Sequence, residues 1–299
     1  MRFVLPNKFP LLPRKKNTSK NDYGHVLVLA GSKGFTGAAI LASRAALVSG
    51  SGLVTLGAPR SLGNIFAKTL LEIMQLGLPE TSQGSLGLAA HRKIEAFIKK
   101  RRINALAAGP GLSCQAETCK LVRRIVRSVS LPLVLDADGL NSFSARGGSA
   151  PGGQGRLTEL RRHAGPLVLT PHQGEFERLF TEVLPKEKLK RIALAKKLSK
   201  FYDVVLVLKG HQTLVIEGDR VYVNATGNPG MAKGGSGDVL TGVITSFIGQ
   251  GLNAFEASSW GAYFHGKAGD LAVREKGELG VVASDLINYL PKAFLGFKK

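Results

Sequence analysis

Short, continuously apolar segments alternate with longer helical segments along most of this chain of 299 residues. Several of the apolar segments lack a polar face, as do strands that helices cover on both sides of a parallel sheet. Strand, helix and strand repeated in this way imply right-handed crossovers and an α/β fold, a three-layer α/β/α sandwich with a mostly parallel central sheet. We predict strands at 25–30, 53–56, 104–108, 131–136, 166–170 and 204–209, and helices at 37–49, 88–100, 116–128, 174–181 and 186–200.

The last third of the sequence predicts an antiparallel edge to the sheet and then helices. The segments 213–216 and 220–223 flank Glu217-Gly218-Asp219, which is a hairpin signal. The stretch 144–155 (SARGGSAPGGQG) has the composition of a linker, but strand signals continue on both sides of it. We therefore expect a flexible surface loop there and one domain over 1–299, with 1–23 as a basic N-terminal extension. Helices are expected at 239–246, 255–273 and 283–293.

Composition limits the classes of protein to which this chain can belong. Hydrophobic residues make up 44% of it, which is enough for a large core. No apolar run reaches transmembrane length, and prolines interrupt the N-terminus before a signal-peptide core could form. We therefore expect a soluble, cytoplasmic protein without a membrane partner. The two cysteines, Cys114 and Cys119, do not suggest a disulfide framework or a zinc site and are expected to be packing residues.

The formal net charge of +20 is the main argument for a different function, because lysines and arginines that neutralise phosphates favour nucleic-acid binding. The basic residues cluster in the first twenty positions and near 99–102 and 123–127, without interleaved aromatic residues for base stacking. Solvated helix faces explain this distribution better than nucleic acid as a partner does. A basic surface would still attract anionic nucleotides.

The segment 228–238 (NPGMAKGGSGD) places four glycines and one carboxylate just before an apolar, helix-like stretch. Glycines let an anion approach the backbone, and the start of a helix presents unpaired N–H groups. A carboxylate repels phosphate, so Asp238 is predicted to be a base that takes the proton from a hydroxyl attacking a phosphoryl group. Gly235, Ser236 and Gly237 would complete the catalytic loop. The alternative is a plain glycine-rich turn in which Asp238 only caps the helix.

Polar or glycine-bearing turns follow four of the predicted strands. Taken singly, each has a structural explanation as a turn former, a first-turn acid of a helix or a surface charge. Open α/β sheets bind ligands at the carboxyl ends of their strands, so the four turns and the glycine loop together predict a nucleotide cleft. The turns are GPGL at 109–112, DADGLN at 136–141, TPHQGE at 170–175 and KGHQT at 209–213.

These motifs, in this order, resemble the ribokinase-like superfamily and, within it, the NAD(P)H-hydrate dehydratase family. The similarity covers nearly the whole chain, from residue 24 (GHVLVLAGSKGFTGAAILASRAALVSGSGLVTL) to NPGMAKGGSGDVLTG at 228–242. It implies an enzyme, a hydro-lyase, that uses a nucleotide to dehydrate the S form of 6-hydroxy-tetrahydro NADH or NADPH back to the normal cofactor. Phosphorylating the C6 hydroxyl and then expelling phosphate would replace a difficult elimination by an easier one.

The resemblance also implies roles for individual residues. Asp238 would deprotonate the hydroxyl while the amides of 235–237 stabilise the transferring phosphoryl group. Glu175 is expected to orient His172 or to serve a metal through water. Substrate contacts are expected at Ala39, Gly111, His172 and Asp238. Nucleotide contacts are expected at Lys209, Gly210, His211, Gln212, Thr213 and Gly237. Candidates for ordering magnesium are Asp136, Asn141 and Glu175.

The resemblance implies ADP as the phosphoryl donor, with ATP as the alternative, and Mg²⁺ as a cofactor. A homo-oligomer, a tetramer in the family, is expected. A separate NAD(P)H-hydrate epimerase is expected to act in the same pathway, because the residues before Gly24 are too few for that domain. Gly139 and Ser113 depart from the usual alanine and glycine at their positions. The alternative function is a ribokinase-like kinase of a small alcohol, of the thiazole or hydroxymethylpyrimidine type, which would use the same base and anion site.

Overall fold

The computed structural model describes residues 3–11, 14, 16–144, 156–295 and 297, and nine strands lie in this part of the chain. They are β1 (His25–Leu29), β2 (Leu53–Pro59), β3 (Met74–Leu78), β4 (Ala105–Ala108), β5 (Leu133–Leu135), β6 (Leu167–Leu169), β7 (Val205–Leu208), β8 (Leu214–Glu217) and β9 (Arg220–Val223). One sheet contains them in the order β3-β2-β1-β4-β5-β6-β7-β8-β9. All pairs from β3 to β7 are parallel, and β8 and β9 add an antiparallel edge, so the predicted sheet is confirmed.

The strand β3 was missed in the sequence. It forms one edge of the sheet, where its Gln75 is exposed and its Met74 and Gly77 are half-buried. A short segment with no β-branched residue and an open face lacks the apolar run that marks the central strands. The other strands lie within about three residues of their predicted bounds, as is usual for element ends.

The helices of the described residues confirm the predicted alternation, and only the short α2 and α5 were not expected. The longest of these helices, α9, is interrupted at Gly277, whose φ is 70°. The helices are α1 (Thr36–Val48), α2 (Gly63–Thr69), α3 (Ala90–Arg101), α4 (Ala116–Ser128), α5 (Asp138–Asn141), α6 (Gln173–Phe180), α7 (Lys188–Tyr202), α8 (Ser236–Gly249), α9 (Ala254–Gly280) and α10 (Ala283–Leu295).

Helices cover both faces of the sheet and create two apolar cores. Val26 and Val28 of β1 are buried in one core with α1, α8, α9 and α10, whereas Leu27 and Leu29 are buried in the other with α3, α4, α6 and α7. Successive side chains of a strand point to opposite faces, so each central strand contributes to both cores. Burial of each such side chain contributes about 1.5–3 kcal/mol, which explains why continuously apolar runs form the centre of this sheet.

Part of the predicted N-terminal extension belongs to the first core. Phe9 is 3% exposed, and its ring lies 5.1 Å from that of Phe247, 5.0 Å from Trp260 and 4.7 Å from Phe264. Residues near the start of the chain therefore pack against α8 and α9. The predicted flexible loop 144–155 lies outside the described residues except for Ser144.

The positive charge is unevenly distributed between the two helical layers. α7 has six lysines and arginines and no acidic residue, and α3 and α4 are also rich in basic residues. On the opposite layer, α1 and α8 together have one basic residue, Arg44. Across the described ranges, no helix is both long and apolar enough to span a membrane.

Candidate active site

The carboxyl ends of β4, β5, β6 and β7 meet at one edge of the sheet. Backbone hydrogen bonds hold these strand ends together. The amides of Asp136 (3.3 Å) and Thr170 (3.1 Å) donate to carbonyls of the neighbouring strands, and the amide of Lys209 (2.9 Å) donates to a carbonyl in the turn after β6. The glycine loop reaches the same place, because an ideal Cβ on Gly237 would lie 3.2 Å from Lys209 Nζ and 3.7 Å from Asp136 Oδ2. The predicted polar turns and the loop are therefore brought together.

Asp136 and Lys209 form a buried ion pair at the centre of this edge. The Lys209 ammonium donates to Asp136 Oδ1 (2.6 Å) and lies 3.4 Å from Glu175 Oε2. The hydroxyls of Thr170 (2.8 Å) and Thr241 (2.9 Å) also donate to the Asp136 carboxylate. Burial would raise the pKa of Asp136, but Lys209 and the two hydroxyls hold that pKa below its ordinary value. Burial would lower the pKa of Lys209, but the charges of Asp136 and Glu175 raise it, so Asp136 and Lys209 are both charged at neutral pH.

The glycine loop ends at α8 with unpaired backbone amides. Gly235 is the N-cap residue, with a φ of 90°. Within the described part of the chain, no protein acceptor is bonded to the N–H groups of Gly234, Gly235, Gly237 and Asp238. Such amides, with the positive end of the helix dipole, bind anions. The amides of Gly235 and Gly237 are open to an anion, whereas the Ser236 amide donates to the carbonyl of Lys233 (3.4 Å); phosphate binding by these three residues stays a prediction.

Asp238 is the third residue of α8 and does not cap it, because Gly235 occupies the N-cap position without a side-chain cap bond. The capping alternative is therefore wrong. Burial raises the pKa of Asp238 to about 7, with a further rise from the charge of Asp136, while Lys209 opposes the shift. A carboxyl group whose pKa lies near neutral pH is suited to exchange a proton with a substrate hydroxyl.

His265 of α9 holds the first turn of α8 and was missed in the sequence. Its Nε2 lies 2.9 Å from the carbonyl oxygen of Ser236 and 3.3 Å from the Oγ of that residue. Burial lowers the pKa of His265 to about 4, so the ring is neutral and its Nε2–H donates to the carbonyl. The bond fixes the peptide group that joins Ser236 to Gly237 and so orients the Gly237 amide. No local pattern could reveal it, because the partners are 29 residues apart.

His172 and Glu175 form a capping box at the N-terminus of α6. His172 Nδ1 accepts from the amides of Gly174 (3.0 Å) and Glu175 (3.3 Å), and Glu175 Oε2 accepts from the amide of His172 (2.8 Å). The neutral ring therefore has its proton on Nε2, which lies 3.6 Å from Glu175 Oε1. The His172 side chain is 53% exposed, so Nε2–H is accessible to a ligand. Its contact with the substrate stays a prediction.

The predicted nucleotide-binding segment 209–213 is the turn between β7 and β8. Thr213 Oγ1 donates to the carbonyl of Gly210 (3.0 Å) and closes the turn, while Lys188 of α7 donates to Gln212 Oε1 (2.7 Å). His211 and Gln212 are exposed, and no atom lies within 4 Å of an ideal Cβ on Gly210. The turn leaves room for a ligand, and nucleotide contacts there stay predictions.

The start of α1 approaches the end of β4. Ala39 lies near the start of α1, and Gly111 follows β4. Gly111 has a φ of 61°, and an added Cβ would lie 2.7 Å from the carbonyl oxygen of Phe35. The Ser32 hydroxyl donates to the carbonyl of Gly111 (2.8 Å). Ala39 is fully buried beneath Gly31, so its side chain faces the protein. Substrate contacts at both positions stay predictions.

The family model described as NAD(P)H-hydrate dehydratase matches residues 26–292 of this sequence. The chain belongs to the NAD(P)H-hydrate dehydratase family. A bifunctional NAD(P)H-hydrate repair enzyme of Moorella thermoacetica is 42% identical over 283 residues, which cover 94% of this chain and 51% of that protein. An ADP-dependent (S)-NAD(P)H-hydrate dehydratase of Neisseria meningitidis serogroup B is 33% identical over 276 residues, which cover 91% of this chain and 86% of that protein. The chain spans about half the length of the bifunctional curated relatives that it matches.

Solved structures extend the comparison to the fold of the family. The ADP/ATP-dependent NAD(P)H-hydrate dehydratase from Bacillus subtilis, co-crystallised with ATP/Mg²⁺, matches with a TM-score of 0.79 and 29% identity over 97% of this chain and 95% of that one. A hydroxyethylthiazole kinase from Pyrococcus horikoshii matches with a TM-score of 0.62 and 14% identity over 91% of this chain and 89% of that one. At this low identity the match shows the fold alone. The resemblance and the ribokinase-like fold predicted from the sequence are therefore confirmed.

The three candidate magnesium ligands are used in protein contacts. Asp136 is 1% exposed and accepts from three side chains, and Glu175 contacts His172 and Lys209. The Asn141 amide donates to Asp138 Oδ1 (3.2 Å). The described segments contain no group of three or more histidine, cysteine or acidic side chains that could hold a metal ion. These side chains do not fit a direct magnesium site in this arrangement.

Replacing Gly235 by alanine is expected to destabilise this family member, because the added Cβ would lie 2.6 Å from Leu41 and 2.9 Å from Ala283. The left-handed φ alone costs a non-glycine residue roughly 1–2 kcal/mol. Gly234→Ala is a matched control, since no atom lies within 4 Å of its ideal Cβ. Urea unfolding should show a clear loss of stability for Gly235→Ala alone. Equal stability of the two variants would contradict the loop geometry.

Proposed function

We propose that this protein uses a nucleotide to dehydrate the S epimer of hydrated NADH or NADPH, returning it to NADH or NADPH. The observation that carries the proposal is the position of Asp238. A carboxyl group with a pKa near 7 lies in the first turn of α8, next to the unpaired amides of the glycine loop. A base and an anion site adjoin there, as phosphoryl transfer to a hydroxyl requires. Membership of the family supports the choice of substrate.

The proposed reaction has two steps. Asp238 takes the proton of the C6 hydroxyl while that oxygen attacks the terminal phosphorus of the nucleotide, and the bond from that phosphorus to its bridging oxygen breaks. The lone pair of the ring nitrogen then expels phosphate from C6, and loss of a proton from C5 completes the double bond. Phosphate is a far better leaving group than hydroxide, so phosphorylation makes the elimination easier.

Lys209 and the loop amides have separate tasks in this scheme. The amides of Gly235, Gly237 and Asp238 stabilise negative charge on the transferring phosphoryl group, which is typically worth about two to three orders of magnitude in rate for one donor. Lys209 lies beside Gly237 and supplies a fixed positive charge, held in place by Asp136. His265 keeps the backbone of Ser236 in the orientation that presents these amides.

ADP is the proposed donor, because the relative from Neisseria meningitidis is named as ADP-dependent and the Bacillus subtilis relative as ADP/ATP-dependent. Mg²⁺ takes few ligands from proteins and keeps several waters, so in this proposal it binds on the nucleotide phosphates. An oligomeric assembly, cytoplasmic location and a separate epimerase as pathway partner remain expectations from the family resemblance.

The proposal is tested by measuring inorganic phosphate, AMP and reduced nicotinamide after the protein is mixed with hydrated NADH and ADP. We expect one inorganic phosphate and one AMP for each reduced nicotinamide formed. An alcohol kinase would instead consume the nucleotide, when given its own alcohol, and leave a stable phosphate ester without free phosphate. Reduced nicotinamide that forms without consumption of either ADP or ATP would contradict the proposed phosphorylation.

A further inference from the structure

The guanidinium of Arg178 approaches His172 at the candidate active site. Arg178 follows Gly174 by four residues in α6, and a helical side chain leans towards the N-terminus of its helix. An ideal Cβ on Gly174 would lie 3.3 Å from Arg178 Nη1, 3.2 Å from His172 Cε1 and 3.5 Å from His172 Nδ1. The arginine is therefore folded back over Gly174, and its charged end lies on the same side of that glycine as the histidine ring.

No protein acceptor engages the guanidinium of Arg178 in the ranges that the structure describes, although this side chain is half-buried. The acidic residues of α6 have other partners. Glu175 lies 3.4 Å from the Lys209 ammonium. Glu177 Oε1 accepts from the side-chain amide of Gln173 (3.0 Å). A guanidinium has five N–H donors in a planar fork that can bond two oxygens of a phosphate at once, so a phosphate ligand would supply the missing acceptors.

The charges at this edge of the sheet also favour a further cation for an anionic ligand. Asp136 and Glu175 are buried carboxylates, and both lie against the same cation, Lys209. NADH and NADPH carry a negatively charged pyrophosphate, which these carboxylates repel. Arg178 offers a positive charge that neither carboxylate engages, and the exposed Nε2–H of His172 offers a second donor beside it.

We propose that Arg178 is a further substrate-binding residue, which holds a phosphate group of the hydrated dinucleotide. The inference rests on the proposed function and adds a contact to the same site. The phosphate is either the pyrophosphate, which NADH and NADPH share, or the 2′-phosphate, which NADPH alone carries. Both are remote from the reacting C6 atom, so the contact is made equally in the ground state and the transition state. Such a contact lowers KM and leaves kcat unchanged.

Arg178→Gln is expected to weaken binding of the dinucleotide by about 10- to 100-fold, the usual worth of a hydrogen bond to a charged group. The fluorescence of NADH and NADPH measures this binding directly, without turnover. KM for the hydrated dinucleotide should rise by a similar factor, while kcat and the affinity for ADP stay near those of the wild type. Equal weakening for NADH and NADPH identifies the pyrophosphate as the group held, and weakening for NADPH alone identifies the 2′-phosphate.

Arg162→Gln is the matched control, because it removes the same charge from an exposed arginine that precedes β6, at the opposite edge of the sheet. Arg178→Lys keeps the charge without the planar fork and should recover part of the affinity. Wild-type affinity of Arg178→Gln for both dinucleotides would overturn the proposal, as would a loss confined to ADP or an equal loss in Arg162→Gln. Wild-type protein that binds dinucleotides but forms no reduced nicotinamide would instead count against the proposed function and leave the binding comparison valid.

Discussion

Replacing Asp238 by asparagine is expected to reduce turnover by about two to four orders of magnitude while nucleotide affinity stays near that of the wild type. Asparagine has nearly the same shape but cannot accept the proton of the substrate hydroxyl. The loop amides and Lys209, which face the phosphates in this account, are unchanged by the substitution. Single-turnover rates and a nucleotide titration on the same preparation measure the two effects. Retention of most of the activity would disprove the role of Asp238 as the base.

The same substitution is expected to stabilise the protein at alkaline pH. Burial raises the pKa of Asp238 from 3.8 to about 7, so the folded protein holds this proton more tightly than the unfolded chain does. The contribution of this group to stability is therefore lost as pH rises from 3.8 to about 7, which lowers the free energy of unfolding by up to about 4 kcal/mol. Asp238→Asn should unfold at higher urea than the wild type at pH about 8 and similarly at pH about 4. Glu182→Gln, which neutralises an exposed carboxylate in the turn after α6, is the control and should show no such gain.

The pH dependence of the rate also reports the protonation state of Asp238. With Asp238 as the base, kcat/KM should rise with pH through about 7, the pKa in the free protein, because the carboxylate is the active form. Asp238→Asn should lose this rise together with the activity. A wild-type profile that is flat over this range would contradict the assignment.

Lys209→Met is expected to destabilise the protein by about 3–5 kcal/mol, because it leaves the charges of Asp136 and Glu175 buried without their cation. Methionine has a similar length, so packing changes little. Nucleotide affinity should fall as well, since the fixed positive charge beside Gly237 is removed. Chemical denaturation and a nucleotide titration measure both effects.

The control for this variant is Lys200→Met, which removes an ion pair of 2.7 Å with Asp219 on the surface of α7. Exposed pairs contribute little, so this change should leave the unfolding midpoint nearly unaltered. Adding Asp136→Asn to Lys209→Met should recover part of the lost stability, because the uncompensated charge is then removed. Equal midpoints for Lys209→Met and Lys200→Met would show that the pair at the sheet edge is not a buried ion pair.

The sequence predicts those parts of this site whose interacting residues lie close together along the chain. The glycine loop and Asp238 lie in one short segment, so their pattern alone indicated a base next to an anion site. Asp136 was proposed as a metal candidate, but its donors Thr170, Lys209 and Thr241 come from three separate elements. No local pattern shows that these donors satisfy its carboxylate.

The same reasoning explains the other differences between the sequence and the structure. The central strands were predicted because both of their faces are apolar, whereas β3 has the mixed exposure of an edge strand. His265 lies within a long helix, and only the tertiary fold brings it to Ser236. The net charge of +20 could be counted from the sequence, but its concentration on the layer of α3, α4 and α7 follows from the fold.

The proposed dehydration is tested most directly by the absorbance of reduced nicotinamide after the protein is added to verified, hydrated NADH. Reactions with ADP, with ATP and without nucleotide are compared, and Asp238→Asn serves as the catalytic control. We expect an absorbance rise that requires a nucleotide, is fastest with ADP and is nearly absent in the variant. No rise with either nucleotide, from folded wild-type protein, would contradict the dehydratase.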